Sequence, residues 1–287
     1  RALLIDQLQT TVRTLDGDDT VIFDATDLRG NLTVQTRQGD DAVSVLNTRI
    51  AGDLAVDAGE GDNTVLLETT AVGGDASVTT GAGGDQITLR DSGVTGSLTV
   101  NAGDGGNTVL LETMSVGGYA SVMTGAGADR ITLRDSGVTG ALTVDAGNGD
   151  NTALLDAVTV GGDTAITTGS GIDLITLLDT GLSGLLTMAA GDGDNVVLLE
   201  RVTVGLAASI RTGLGIDRIT LRGSGLGGAL TVDAGDGGNT VLLDTVTVDG
   251  NTAITSGSGS DSVTLLDSGL TGMLTVDAGD GDNTVLL

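Results

Sequence analysis

A single register runs through the chain and constrains its fold more than anything else. From Val56, steps of 22 reach Val78, Val100, Val122, Val144, Ile166, Met188, Ile210, Val232, Ile254 and Val276. Backward steps reach Val34 and Val12, and no insertion breaks the count. Val65, Ile87, Val109 and Ile131 begin a second apolar column, Leu67, Leu89 and Leu111 a third, and Val72, Val94 and Val116 a fourth. Within one unit the apolar positions are 54, 56, 58, then 65, 67, then 70, 72. A period of two belongs to strands. Glycine falls between them at 52, 59 and 61, where the chain must turn.

One such unit cannot bury its own apolar side, whereas stacked units bury all of them and pair each strand with its copies above and below. The expected fold is therefore all-β: a parallel β-helix, or β-solenoid, that follows a single-stranded path with 22 residues per coil. About 13 coils at about 4.8 Å each would make a rod roughly 60 Å long. Right-handed winding is expected from the chirality of parallel crossovers, with left-handed winding as the alternative. Two coil types alternate, typified by GSLTVNAGDGGNTVLLETMSVG (96–117) and GDASVTTGAGGDQITLRDSGVT (74–95), so the full repeat is 44 residues. Position 54 alternates Leu98, Ala120, Leu142, Thr164 and Leu186. Large over small lets stacked layers interdigitate. Residues 1–51 keep the register less well, with Leu15 and Arg37 at corner-glycine positions, and are expected to lie near a natural boundary. Residues 52–287 are regular and end in mid-motif, so the chain is expected to be a piece of a longer fibre.

Composition excludes several functions. Only Phe23 and Tyr119 are aromatic, and Pro, Cys, His, Trp and Lys are absent. No Ser-His or Cys-His couple can form. A glycosidase would need a cleft with stacking aromatics, which an insertion-free coil does not offer, so a carbohydrate-active β-helix enzyme ranks third among the readings. A net charge of −27 disfavours nucleic acid and anionic membrane surfaces. No apolar run is long enough to span a bilayer as a helix. The missing cysteine fits an extracellular or bacterial cell-surface protein.

Stacking turns each position into a ladder. Position 68 reads Glu68, Arg90, Glu112, Arg134, Asp156, Leu178, Glu200, Arg222, Asp244. It is expected to be a cross-strand ion-pair ladder that fixes register, with a charged binding stripe as the alternative. Position 66 alternates Leu66, Leu110, Leu154, Leu198 and Leu242 with Thr. Its neighbours point inward, so this row points out, and it is either a lateral association face or a covered one. A homo-oligomer or fibre bundle would use it. The Thr/Ser row at position 55 lacks a second regular row beside it, which favours ordinary strand threonines over an ice-binding array.

The corner motif reads GAGGDQITL (81–89), GAGADRITL (125–133), GSGIDLITL (169–177), GLGIDRITL (213–221) and GSGSDSVTL (257–265). It resembles the calcium-binding nonapeptide of RTX (repeats-in-toxin) proteins, in a solenoid of the kind found in bacterial surface fibres and adhesins. That resemblance implies Ca²⁺ between coils, with Asp85, Asp129, Asp173, Asp217 and Asp261 as side-chain ligands. Two departures stand against it. The coil carries one such corner rather than two nonapeptides, and the Asp column alternates with Asn63, Asn107, Asn151, Asn195, Asn239 and Asn283. An Asn amide can donate to a neighbouring carboxylate, a ladder that needs no metal. The Asn coils instead place acids on the outer corner: Glu60 and Asp62, Asp104, Asp150, Asp192 and Asp194, Asp236, Asp280 and Asp282. These are either calcium ligands or a solvated ridge. The expected function is a structural or adhesive shaft segment without catalysis, with an RTX-like calcium module as the alternative.

Overall fold

The computed structural model describes residues 3–5 and 7–287. It is an all-β parallel β-solenoid of about 13 coils, with strand partners 22 residues apart and no helix among the described residues. Each regular coil has three strands, as in Leu54–Asp57, Thr64–Glu68 and Ala71–Val72. Their copies stack into a first, second and third sheet, in that order along the coil. All three sheets are parallel because each strand meets the same strand one turn later.

The chain divides into two compact units, Arg1–Thr143 and Val144–Leu287. In the first, Val12 pairs with Val34, Val34 with Val56, Val56 with Val78 and Val78 with Val100. The register thus runs through residues 7–51 without a slip. In the second, Ile166 pairs with Met188, Met188 with Ile210, Ile210 with Val232 and Val232 with Ile254. The inward columns are sealed: Ile87, Val109, Ile131, Ile175, Val197 and Ile219 are all 0% exposed. Leu54, Ala76 and Leu98 alternate in the buried position-54 column, as do Leu186, Ala208 and Leu230.

Glycine makes the corner between the first and second sheets. At position 61 and its equivalents every residue is a glycine of positive φ, from Gly17 to Gly281. A Cβ on Gly105 would lie 1.8 Å from the Gly83 carbonyl oxygen. The coils approach so closely here that no side chain fits between them. The corner between the second and third sheets works differently. It is a single left-handed residue, at φ of 51° for Thr69, 49° for Asp91, 54° for Thr113 and 49° for Asp135. Ala157, Asp179, Arg201, Thr245 and Asp267 repeat it in the second unit, and only Gly223 in the column is glycine. A left-handed non-glycine residue is strained, more so when β-branched. The residue that follows helps to hold the turn. Ser92 donates from its Oγ to the Arg90 carbonyl at 2.7 Å and accepts the Thr70 N–H at 2.9 Å.

Candidate functional site

The Gly-rich corner collects the residues that the sequence marks for chemistry. It holds two ladders, one inside and one outside.

The inner ladder is the Asn/Asp column. In the first unit Asp41 N–H donates to Asn63 Oδ1 at 3.0 Å, and Asn63 N–H donates to Asp85 Oδ1 at 2.8 Å. Asp85 N–H donates to Asn107 Oδ1 at 3.0 Å, and Asn107 N–H to Asp129 Oδ1 at 2.7 Å. The second unit repeats this from Asn151 through Asp173, Asn195, Asp217, Asn239 and Asp261 to Asn283, with distances of 2.7–3.0 Å. The rungs therefore join a side chain to the backbone of the adjacent coil. The Asn amide Nδ2 has partners of its own. It turns back into its own corner, where Asn63 Nδ2 reaches Gly59 O at 3.0 Å and Gly61 O at 2.9 Å. Asn107, Asn151 and Asn195 do the same with their own glycines. The Gly59 and Gly103 carbonyls also accept a backbone N–H of the next coil, from Gly81 and Gly125, at 2.6 Å each.

The Asp coils are built otherwise. Asp85, Asp173 and Asp217 are at most 2% exposed, and the Oδ2 of each is buried without a hydrogen-bond partner. A threonine stands beside each one. Its hydroxyl is already committed to the next coil, with Thr80 Oγ1 donating to Ala102 O at 2.9 Å. Thr168 and Thr212 repeat this with Ala190 and Ala234. The Asn coils carry Ala at this position, so Thr and Asp alternate with Ala and Asn as sets, which accounts for part of the 44-residue repeat. Desolvation pushes the Asp85, Asp129, Asp173 and Asp217 carboxyls above the usual carboxylate range, against the lowering effect of the backbone N–H each accepts.

A pH dependence follows. A carboxyl whose pKa is raised by folding binds its proton more tightly in the folded state. It contributes stability that is fully present below the unfolded value and lost as pH rises through the folded one. Stability should therefore fall between mildly acidic and neutral pH. An unpartnered buried acceptor costs about 1–3 kcal/mol. Asp85→Asn, Asp173→Asn and Asp217→Asn together should raise the melting temperature at pH 7, because each new amide can donate to the adjacent threonine oxygen. They should also flatten the pH slope between pH 4 and pH 7. A triple variant with a lower melting temperature at pH 7 would show that the ionised carboxylates are themselves required.

The outer ladder is made of the exposed acids. Asp62 Oδ1 accepts the Gly84 N–H at 2.6 Å, and Glu60 Oε2 accepts the Ala82 N–H at 3.0 Å. Asp104 accepts from Ala126 at 2.8 Å, Asp150 from Ile172 at 2.8 Å, Asp192 from Leu214 at 2.9 Å and Asp194 from Ile216 at 2.8 Å. Asp236 accepts both the N–H and the hydroxyl of Ser258, each at 2.8 Å, which lowers its pKa. Asp280 and Asp282 are exposed. Each bonded acid thus satisfies a corner N–H of the coil above it. Calcium takes six to eight oxygens. Each bonded outer acid commits one carboxylate oxygen to the backbone, and among the described residues no three acids converge into a group that could hold a metal.

Other marked residues lie on the second sheet. Arg90 Nη2 meets Glu68 Oε1 at 2.9 Å, and Arg134 Nη1 lies 3.8 Å from Glu112 Oε1. In the second unit Arg222 Nε meets Asp244 Oδ2 at 3.1 Å. These pairs are solvent-exposed, so each is worth about 0–1 kcal/mol. Leu66, Leu110, Leu154, Leu198 and Leu242 face outward and are half-buried by their row neighbours.

No protein-family model matches the chain, and no curated protein matches it. Among solved structures, the chain is similar to a hyperactive, Ca²⁺-dependent, beta-helical antifreeze protein from an Antarctic bacterium, at 20% identity and a TM-score of 0.47, over 95% of this chain and 83% of that one.

Proposed function

We propose that the chain is a non-catalytic scaffold: a segment of the shaft of an extracellular bacterial fibre, stalk or adhesin that holds another part at a distance. The observation that supports this most directly is where the corner side chains go. From Asp41 to Asp129 in the first unit and from Asp173 to Asn283 in the second, the Asn and Asp side chains reach the backbone of the coil 22 residues away, and the outer acids from Glu60 to Asp236 do the same. Groups that elsewhere serve a ligand here join one coil to the next. An uninterrupted register also suits a spacer, since repeats add length without changing the joint. Imaging the full-length protein on cells tests the reading. Filaments projecting from the surface are expected, and a compact secreted particle would overturn it.

The RTX-like alternative has its own test. A site that binds Ca²⁺ only when folded stabilises the fold by mass action. The expected result is that millimolar Ca²⁺ and Na⁺ at matched ionic strength give the same melting temperature, because salt screens a −27 chain in either case. Chelator should then change nothing further. A Ca²⁺-specific rise that is lost in Asp129→Asn with Asp173→Asn would establish the calcium module in place of the plain scaffold.

A further inference from the structure

The charge of this protein is unevenly spread. The first unit carries 20 acids against eight arginines. Its second sheet departs from that balance. On the outward face Asp24, Glu68 and Glu112 meet Arg90, Arg130 and Arg134, three of each sign. Every arginine between residues 52 and 143 lies on this face. The second unit repeats the trend, with Asp156, Glu200 and Asp244 against Arg218 and Arg222. Among the described strands of the first unit, the first sheet carries only Arg13 and Asp57 and the third only Asp27 and Arg49, so neither offers a charge ladder. The second sheet also presents the Leu row.

Two columns on this face run in phase. Coils with Leu at position 66 carry an acid at position 68, as in Leu66/Glu68 and Leu110/Glu112. The intervening coils carry Thr with Arg in Thr88/Arg90, Thr132/Arg134 and Thr220/Arg222, and Thr with Leu in Thr176/Leu178 and Thr264/Leu266. We propose that the outer face of the second sheet is a self-association surface whose occupant is a second copy of this chain. This rests on the scaffold reading above and names its partner.

The geometry is self-complementary about a two-fold axis. Turn a second copy about an axis parallel to the strands, placed between Gln86–Arg90 and Thr108–Glu112. Column 68 then faces column 68 with the coil order reversed. Arg90 faces Glu112 of the second copy, and Glu68 faces its Arg134. Thr88 faces Leu110, and Leu66 faces Thr132, so each large side chain meets a small one. A slip of one coil sets Glu on Glu, Arg on Arg and Leu on Leu. One alternation thus serves both packing and charge, as an isologous contact requires. Four strands at about 4.8 Å, each five residues long at about 3.3 Å per residue, make a patch of roughly 300 Å². A standard interface buries about 800 Å² per partner. One such patch is weak, and association is expected only at high concentration or where the pattern recurs.

Sedimentation from micromolar to millimolar concentration at low salt tests this. The chain should associate reversibly. Leu66→Thr with Leu110→Thr should weaken association at least about tenfold with the β signal unchanged, since Thr already occupies this column in alternate coils. Arg90→Glu with Arg134→Glu should weaken it as much by making the four positions of this column within the patch uniformly acidic. Thr99→Glu with Thr231→Glu adds the same sign of charge on the first sheet and should have a smaller effect. A chain that stays monomeric at every concentration, or a control pair as damaging as the arginine pair, overturns the proposal. A monomeric result leaves the scaffold reading standing, because imaging on cells decides that one.

Discussion

Val109→Asp should destabilise the fold by about 4 kcal/mol or more, which places it among the exceptional single substitutions. Val109 is 0% exposed and pairs with Ile87 on one coil and Ile131 on the other. All three side chains point into the coil interior, where neither a cation nor a polar partner is available in that column. A carboxylate there must give up its hydration without replacement or take up a proton, and either is expensive. Because each coil touches only its neighbours, the damage should be local. Amide exchange should accelerate first in Gln86–Arg90, Thr108–Glu112 and Arg130–Arg134. Thr108→Asp, one residue earlier on the outward face, should change the denaturation midpoint little. If the two variants behaved alike, position 109 would not face inward and the strand phase of the second sheet would be wrong.

The features legible in the sequence are those that stacking imposes on side-chain identity. Val109 is readable because its column repeats Val and Ile at a fixed step and its neighbours alternate with it. The corner at Gly59 and Gly61 is readable because only glycine tolerates that backbone. The turn at Thr69, Asp91 and Thr113 is hidden for the converse reason. The left-handed conformation there is carried by ordinary residues, and the one column-mate that would have signalled it, Gly223, stands alone. Asp91, Asp135, Asp179 and Asp267 offer a fainter sign, since Asp accepts this conformation more readily than most residues.

The ladders were legible as columns but not as bonds. The register says that Asn63 lies over Asp85, and nothing in it says which atom meets which. The structure sends the Asn63 amide to Gly59 and Gly61 and brings the carboxylate of Asp85 to the Asn63 N–H. The outer acids follow the same logic. Asp62 and Asp104 read as a charged ridge or as metal ligands until the backbone path places the N–H of Gly84 and of Ala126 against them. An acidic corner in a tightly wound coil is thus first a set of acceptors for amides that have no partner in any sheet.

Gly105→Ala carries the other large effect. The residue sits at φ +126°, and a Cβ would lie 1.8 Å from Gly83 O and 2.6 Å from its carbonyl carbon. Both are backbone atoms of the coil below, so no side chain can swing aside to make room. The backbone strain alone is worth about 1–3 kcal/mol. The clash adds to it, because relief requires the two coils to separate and stretch the corner hydrogen bonds on either side. Those bonds include Asn107 Nδ2 to Gly105 O at 3.2 Å and Gly105 N–H to Ala126 O at 2.7 Å. A loss of about 3 kcal/mol or more is expected in chemical denaturation. The next residue provides the control. A Cβ on Gly106 would meet only Ala128 O, at 3.6 Å, an ordinary contact, and its φ is not in the left-handed region. Gly106→Ala should be neutral or slightly stabilising, because alanine restricts the unfolded chain more than glycine does. Equal losses at 105 and 106 would mean that the corner resists any side chain. A loss at 105 alone ties the cost to one close approach, repeated at the same place from Gly39 to Gly127 in the first unit and from Gly171 to Gly281 in the second.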